Sequence, residues 1–392
     1  MSREKRNKVL EIICLISEFV LKYGKLTNQT YLYIKRHNVL ENLNKNYNMK
    51  QRIEFIDLAK GICMSLVVYS HVYLGDHPKL GEFQDYISLP LFFSLSGLLF
   101  KTYNDYMDFC INKINKLIIP LLCGFLILNI PMLYYLNHRL GLPITFPDDF
   151  WQSERIRFIF KGNGPLWFLW ALFLQNIIFY SIFLFCRQKT KPIIITCVTL
   201  GVSTFWLGKN NIYIPLWIDA SLVTLPFFMT GYLMRNYSNI LYEPFNKKHS
   251  AIAICSLLLL ILIYLYDSNL TTTRNIIMHG DNHYEISCAS MYIGGLCGTM
   301  FVLMISKWLT HLPVISYIGR YCIVVLLTHV VLIQLMRKLL YHFPINTDYI
   351  DLIMFGIFAV VIIIEIPIIH FGVKYVPYMF AEKVLIKIKH KE

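Results

Sequence analysis

Apolar blocks long enough to cross a lipid bilayer recur along this 392-residue chain, and no other feature constrains its fold as tightly. A helix needs roughly 17–25 residues to span the hydrocarbon core. Inside lipid each backbone N–H and C=O must find its partner within the chain, which leaves helices as the solution for runs of this kind. Ten spans are expected, over residues 56–75, 85–101, 117–136, 165–186, 192–208, 217–234, 250–266, 287–306, 320–337 and 350–372, several of them short or interrupted by Pro or Gly. The fold class that follows is all-α, a polytopic integral membrane protein with about ten transmembrane helices and the lipid bilayer as its first partner. Composition agrees. The chain is 56% hydrophobic and 16% charged, against about 45–50% and about 25% in soluble domains.

A formal charge of +13 invites a nucleic-acid reading, but the placement of the charges speaks for topology. Lys and Arg gather in the loops that share a side with the N-terminus, such as "KTYNDYMDFCINKINK", "RQKTK" and the tail "KVLIKIKHKE". By the positive-inside rule both termini are cytoplasmic, and no nucleic acid is expected as a partner. Most of the ten cysteines sit inside apolar blocks, among them Cys63, Cys123, Cys197, Cys255 and Cys297, with no CxxC and no Cys/His cluster. They read as small buried hydrophobes, with no disulfide framework and no metal site.

Three regions are expected. Residues 1–48 form an N-terminal cytoplasmic or interfacial extension, whose "VLEIICLISEFVLKYG" is too short to span and is interrupted by Glu11 and Glu18. The opening "MSREKRNKVL" lacks a small-residue cleavage site and does not read as a signal peptide. Residues 49–374 hold the spans, and 375–392 form a basic cytoplasmic tail. The loop 137–164 carries Asp148, Asp149, Trp151 and Glu154 on the outer side. It is either a polar-substrate surface, with Trp151 as a contact, or a solvated loop with an interfacial helix.

The first span, "FIDLAKGICMSLVVYSH", holds Asp57, Lys60 and His71, although an ionisable side chain in lipid costs at least about 2.5 kcal/mol. Lys60 and His71 are eleven residues apart, about three turns, so they share a face and lie about 16 Å apart along the axis. A cation near the inner boundary and an imidazole deep in the outer half suit a donor with phosphates at one end and a thioester at the other, as in acyl-coenzyme A. The alternative is that Lys60 snorkels to the interface and His71 merely ends the helix.

Four blocks in order extend the pattern: "RIEFIDLAKGICMSLVVYSH", "PLFFSLSGLLF", "GPLWFLWALF" and "YIGRYCIVVLLTH". Together they resemble the acyltransferase-3 family, integral membrane O-acyltransferases that modify bacterial surface sugars, and are most similar to its fucose 4-O-acetylase-like branch. The resemblance covers all but the N-terminal extension. Lys60 stands at the family's basic position, His71 at its early histidine and His329 at its late one. Ser88 stands where many members of that branch carry a second histidine, and Lys60 replaces the more widespread Arg, which removes a bidentate phosphate contact.

The resemblance implies an O-acetyltransferase of the cell inner membrane, taking acetyl from acetyl-CoA, with no metal, to a glycan or a lipid-linked sugar acceptor. His71 is then the candidate general base, since an imidazole takes up and returns a proton near neutral pH. Lys60, Arg52, Lys101, Lys113 and Lys116 are candidates for the donor phosphates, the loop lysines equally readable as ordinary positive-inside charge. Asp57 orients Lys60 or caps the helix. Ser96, beside Gly97, either donates to an oxyanion or serves close helix packing. Trp167 offers a stacking face for a sugar or adenine ring, or an interfacial anchor. His329 is a second candidate catalytic residue. Glu365, an intramembrane carboxylate and candidate substrate contact, needs a partner, and its depth suggests Lys60, directly or through a donor phosphate or water. From another class, a transporter or flippase would use the same intramembrane charges as a relay, but the blocks cluster in the early spans and no inverted-repeat symmetry is visible.

Overall fold

In the computed structural model, residues 53–72, 83–103, 105–129, 164–210, 212, 214, 216–270, 287–341 and 350–386 are described. They are helical, with no strand among them. The long elements are α1 (Glu54–Val72), α2 (Ser88–Leu98) and α3 (Tyr106–Lys113), which runs through a π-helical turn (Ile114–Ile118) into α4 (Ile119–Cys123) and a second π-helical stretch (Gly124–Asn129). A 3₁₀ turn (Gly164–Leu166) then opens α5 (Trp167–Phe185), followed by α6 (Thr190–Lys209), α7 (Ile218–Val223), α8 (Leu225–Tyr237) and α9 (Lys247–Leu270). The chain closes with α10 (Cys288–Leu309), α11 (Pro313–Arg320), α12 (Cys322–Tyr341) and α13 (Ile350–Tyr375).

The chain is a multi-pass membrane protein, and the described residues do not confirm the exact count of ten spans. Among the described residues seven stretches are long and apolar enough to cross: α1, Tyr106–Leu128, α5, α6, Lys247–Asp267, α10 and Asp351–Tyr375. An eighth forms if α11 and the Cys322–Arg337 part of α12, bent by 97° at Tyr321, count as one broken span. The stretch read as the second span is the 11-residue α2, about 16 Å long where a crossing needs about 30 Å. The stretch read as the sixth is the α7–α8 pair, broken at Thr224 two residues before Pro226. Around that break side chains add hydrogen bonds to the backbone ladder. Thr224 donates to the Ala220 carbonyl at 2.7 Å, and Ser221 to the Trp217 and Ala171 carbonyls at 2.8 and 3.0 Å.

Two close helix crossings set the frame. α1 meets α11 where Gly61 faces Gly319: a Cβ on Gly61 would lie 1.9 Å from the Ile315 carbonyl oxygen, and one on Gly319 1.8 Å from that of Asp57. Only glycine lets these backbones touch. α2 meets α8 in the same way, with Gly97 against the Phe228 carbonyl and Gly231 against that of Ser94. The short α2 is thereby held inside protein, with Leu91 and Phe93 wholly buried, while Leu262 on α9 and Ile363 on α13 are exposed, on stretches whose surroundings are hydrocarbon.

The turn before α2 is also anchored. The Tyr86 hydroxyl donates to the Asp267 carboxylate on α9, whose other oxygen accepts from Ser290 Oγ of α10 at 3.0 Å. The Ile87 N–H closes on the Gln84 carbonyl at 2.8 Å, and Cys63 of α1 donates its thiol to the Ser88 carbonyl at 3.0 Å. Residues 84–88 are thus fixed between α1, α9 and α10.

Candidate active site

A cavity of about 290 Å³ opens at the His71 end of α1. One wall is polar: Ser70 and His71 from α1, with Gln84, Asp85 and Ser88 from the anchored turn. Much of the rest of the lining is aromatic: Phe92, Trp167, Phe168 and Trp217. Trp167 and Trp217 stack with ring centroids 5.1 Å apart at 21°. Trp217 reaches that place through a strained turn, since Leu216 and Trp217 both have left-handed backbones, with φ of 62° and 60°. Such conformations are uncommon for bulky residues and persist where surrounding structure over-determines them. Here Trp170 Nε1 donates to the Leu216 carbonyl at 2.9 Å and pins the turn.

α12 brings a second imidazole to the first. The rings of His71 and His329 lie 5.2 Å apart at 44°. His329 is wholly buried, and its Nδ1 sits 2.6 Å from the Val325 carbonyl oxygen. A carbonyl only accepts, so Nδ1 carries the proton and Nε2 of the neutral ring presents a lone pair. That Nε2 is buried with no hydrogen-bond partner among the described residues. An unmet acceptor beside a second imidazole is a site prepared for a proton donor.

Arg337, on the same helix, caps α1. Its guanidinium donates to the carbonyls of His71 and Val72 at 3.2 and 2.6 Å, a cation on the unsatisfied C-terminal carbonyls of a helix. α12 therefore grips the last turn of α1 from two sides, by ring contact and by cap. Arg337→Leu is expected to lower the turnover of this site by about ten- to a hundredfold, since small misplacements of a reacting group have effects of that size, while leaving half-saturating substrate concentrations nearly unchanged. Steady-state kinetics of the purified variant check this, and an unaltered turnover number would count against the cap.

The other end of α1 is cationic. The charges of Lys60 and Lys101 reach Lys116, that of Lys116 reaches Lys113, and those of Lys60 and Asp57 reach Cys322 at the start of α12. The structure thus gathers four of the lysines singled out in the sequence, while His71 and Trp167 line the cavity toward the opposite end of α1. Asp57 lies at the glycine crossing, its carbonyl against Gly319.

Two candidates stand apart from the cavity. Among the described residues Glu365 makes no direct ion pair with Lys60; it is wholly buried, and the Thr328 hydroxyl lies 2.8 and 2.9 Å from its two carboxylate oxygens. Its side chain points from α13 to α12, whereas Lys60 belongs to the lysine group. Nor is Glu365 on the cavity wall. Ser96 is likewise not on that wall; its hydroxyl accepts from Asn176 Nδ2 at 3.2 Å, and its neighbour Gly97 serves the α2–α8 crossing. Arg52, Trp151, the acidic loop and the N-terminal extension lie outside the described residues. Gln84, Trp217 and Arg337 were not foreseen. Nothing in "YIPLWID" announces a left-handed turn.

The acyltransferase-3 family model, described as an acyltransferase domain, matches residues 53–369. No curated protein and no solved structure matches the chain.

Proposed function

Because the chain belongs to the acyltransferase-3 family and is a membrane acyltransferase, we propose that it moves an acetyl group from acetyl-CoA to a hydroxyl of a cell-surface glycan or its lipid-linked precursor, with His71 as general base. The observation that carries this reading is the contact of His71 with the tautomer-fixed His329 at the polar wall of the cavity. A neutral His71 that gives its one N–H to His329 Nε2 keeps its other nitrogen free to act as base toward the cavity. The acceptor oxygen attacks the thioester carbonyl and its proton passes to His71. A C–O bond forms as the C–S bond breaks, and His71 returns the proton to the departing thiolate.

Lys60, Lys101, Lys113 and Lys116 suit the phosphates of the donor as point charges. The separation of about 16 Å between Lys60 and His71 along α1 suits an extended phosphopantetheine arm. Trp167 and Trp217 offer a flat apolar face of the kind on which a sugar ring stacks. By the positive-inside rule the lysine end and both termini face the cytoplasm, with the protein in the cell inner membrane.

The test is transfer of radiolabelled acetyl from acetyl-CoA in membranes holding matched amounts of wild type, His71→Ala and Lys60→Ala, with cell-surface glycan as the acceptor pool. Wild type is expected to label glycan and His71→Ala to lower labelling by about 10²- to 10⁴-fold. Lys60→Ala is expected to raise the donor concentration required by about tenfold, the effect of losing one hydrogen bond to a charged group. Full labelling by His71→Ala would overturn the reading.

A further inference from the structure

The anchored turn before α2 carries two polar side chains that the reaction as described does not use. Gln84 is 5% exposed and Ser88 1% exposed. Gln84 Oε1 and Ser88 Oγ are both buried without a hydrogen-bond partner among the described residues, and both residues line the cavity beside His71. Native structures rarely leave such atoms unmet, because an unsatisfied buried acceptor costs about 1–3 kcal/mol. Here two occur four residues apart, on residues that line the cavity together with His71 and the aromatic side chains. The turn itself is not loose: Tyr86 ties it to Asp267, and Cys63 holds the Ser88 carbonyl. The chain therefore invests several contacts in fixing two residues that line the cavity and whose side-chain oxygens are unmet among the described residues.

An amide oxygen only accepts, so Gln84 Oε1 calls for an O–H or N–H on whatever fills the cavity. A serine hydroxyl both donates and accepts, so Ser88 takes a second polar group of either kind. We propose that Gln84 and Ser88 are the specificity-determining residues for the acyl acceptor, receiving polar groups that flank the hydroxyl acylated at His71, with a hydrogen-bond donor required at Gln84. The inference rests on the acceptor reading given above and adds to it which side chains choose the acceptor, and by what chemistry. A site built this way rejects an analogue lacking the flanking donor, because the buried acceptor is then left unpaired.

The experiment uses the purified full-length chain in lipid vesicles, labelled acetyl-CoA, and a panel of p-nitrophenyl hexosides, each paired with its monodeoxy analogues. The quantity read is the ratio of kcat/KM between parent and analogue, which does not depend on how much of a variant folds. Wild type is expected to disfavour two deoxy analogues, each by about ten- to a hundredfold. Gln84→Leu is expected to bring one of those ratios close to unity while leaving the other ratios in place. Ser88→Ala is expected to do the same for a different position. Glycoside acylation with every ratio unchanged in both variants would overturn the inference and leave the acceptor reading standing. A wild type that acylates no member of the panel would remove the acceptor reading and this inference with it.

Discussion

His329→Ala is expected to lower acyl transfer by about 10²- to 10⁴-fold, the contribution typical of a positioned acid–base group, with little change in donor half-saturation. The argument is geometric. His329 Nδ1 is committed to the Val325 carbonyl, so Nε2 is an acceptor, and the His71 ring lies 5.2 Å away between centroids. In the proposed reaction His71 turns its N–H to that acceptor; without it His71 has no fixed tautomer, and half of its orientations present an N–H where a base is needed. His329→Gln restores an accepting oxygen on a side chain of similar reach and is expected to recover part of the loss. A merely structural role for His329 predicts no such recovery. Equal losses in the alanine and glutamine variants, with folding intact, would count against the tautomer argument.

The second large effect concerns the fold. Gly319→Leu is expected to abolish accumulation of folded protein, because its Cβ alone would stand 1.8 Å from the Asp57 carbonyl oxygen and 2.4 Å from the Gly61 nitrogen. Both are backbone atoms that cannot swing aside, so the cost is expected at or above the upper end of the roughly 1–3 kcal/mol typical of overpacking. The crossing that would open carries Asp57, Lys60 and the start of α12, so damage there separates the lysine end from the imidazole end. Gly356 is the control. A Cβ at that position meets nothing within 4 Å, so Gly356→Ala removes a flexible residue from an exposed helix position and is expected to be neutral or to stabilise by about 0.5–1 kcal/mol. Size-exclusion of detergent-extracted protein and its thermal unfolding midpoint read both. A monodisperse Gly319→Leu protein that melts with wild type would contradict the packing account.

How far the sequence reaches can be judged residue by residue. The helical class follows from apolar runs alone. Lys60 and His71 are spaced so that one helix must carry them to opposite ends of one face, and α1 does so. The glycines of "AKG" and "YIGR" are visible as small residues in apolar surroundings, but their meeting at one crossing is a tertiary fact. The span count was less legible. Hydropathy adds α2 and the α7–α8 pair to the tally because buried short helices are as apolar as lipid-facing long ones. Glu365 illustrates the limit for pairing: depth alone suggested Lys60, while side-chain direction gave Thr328 on the neighbouring helix. Gln84 was illegible for another reason, since an unpaired buried acceptor can be recognised only after every nearby partner has been placed.

The measurement that tests the central claim most directly is a double-mutant cycle on labelled acetyl transfer, comparing wild type, His71→Ala, His329→Ala and the double variant at matched folded protein. If the two imidazoles act as one unit, the double variant is no slower than His71→Ala alone, since groups that share a step are strongly non-additive. Losses that multiply, or a His71→Ala variant that transfers acetyl as well as wild type, would contradict the account.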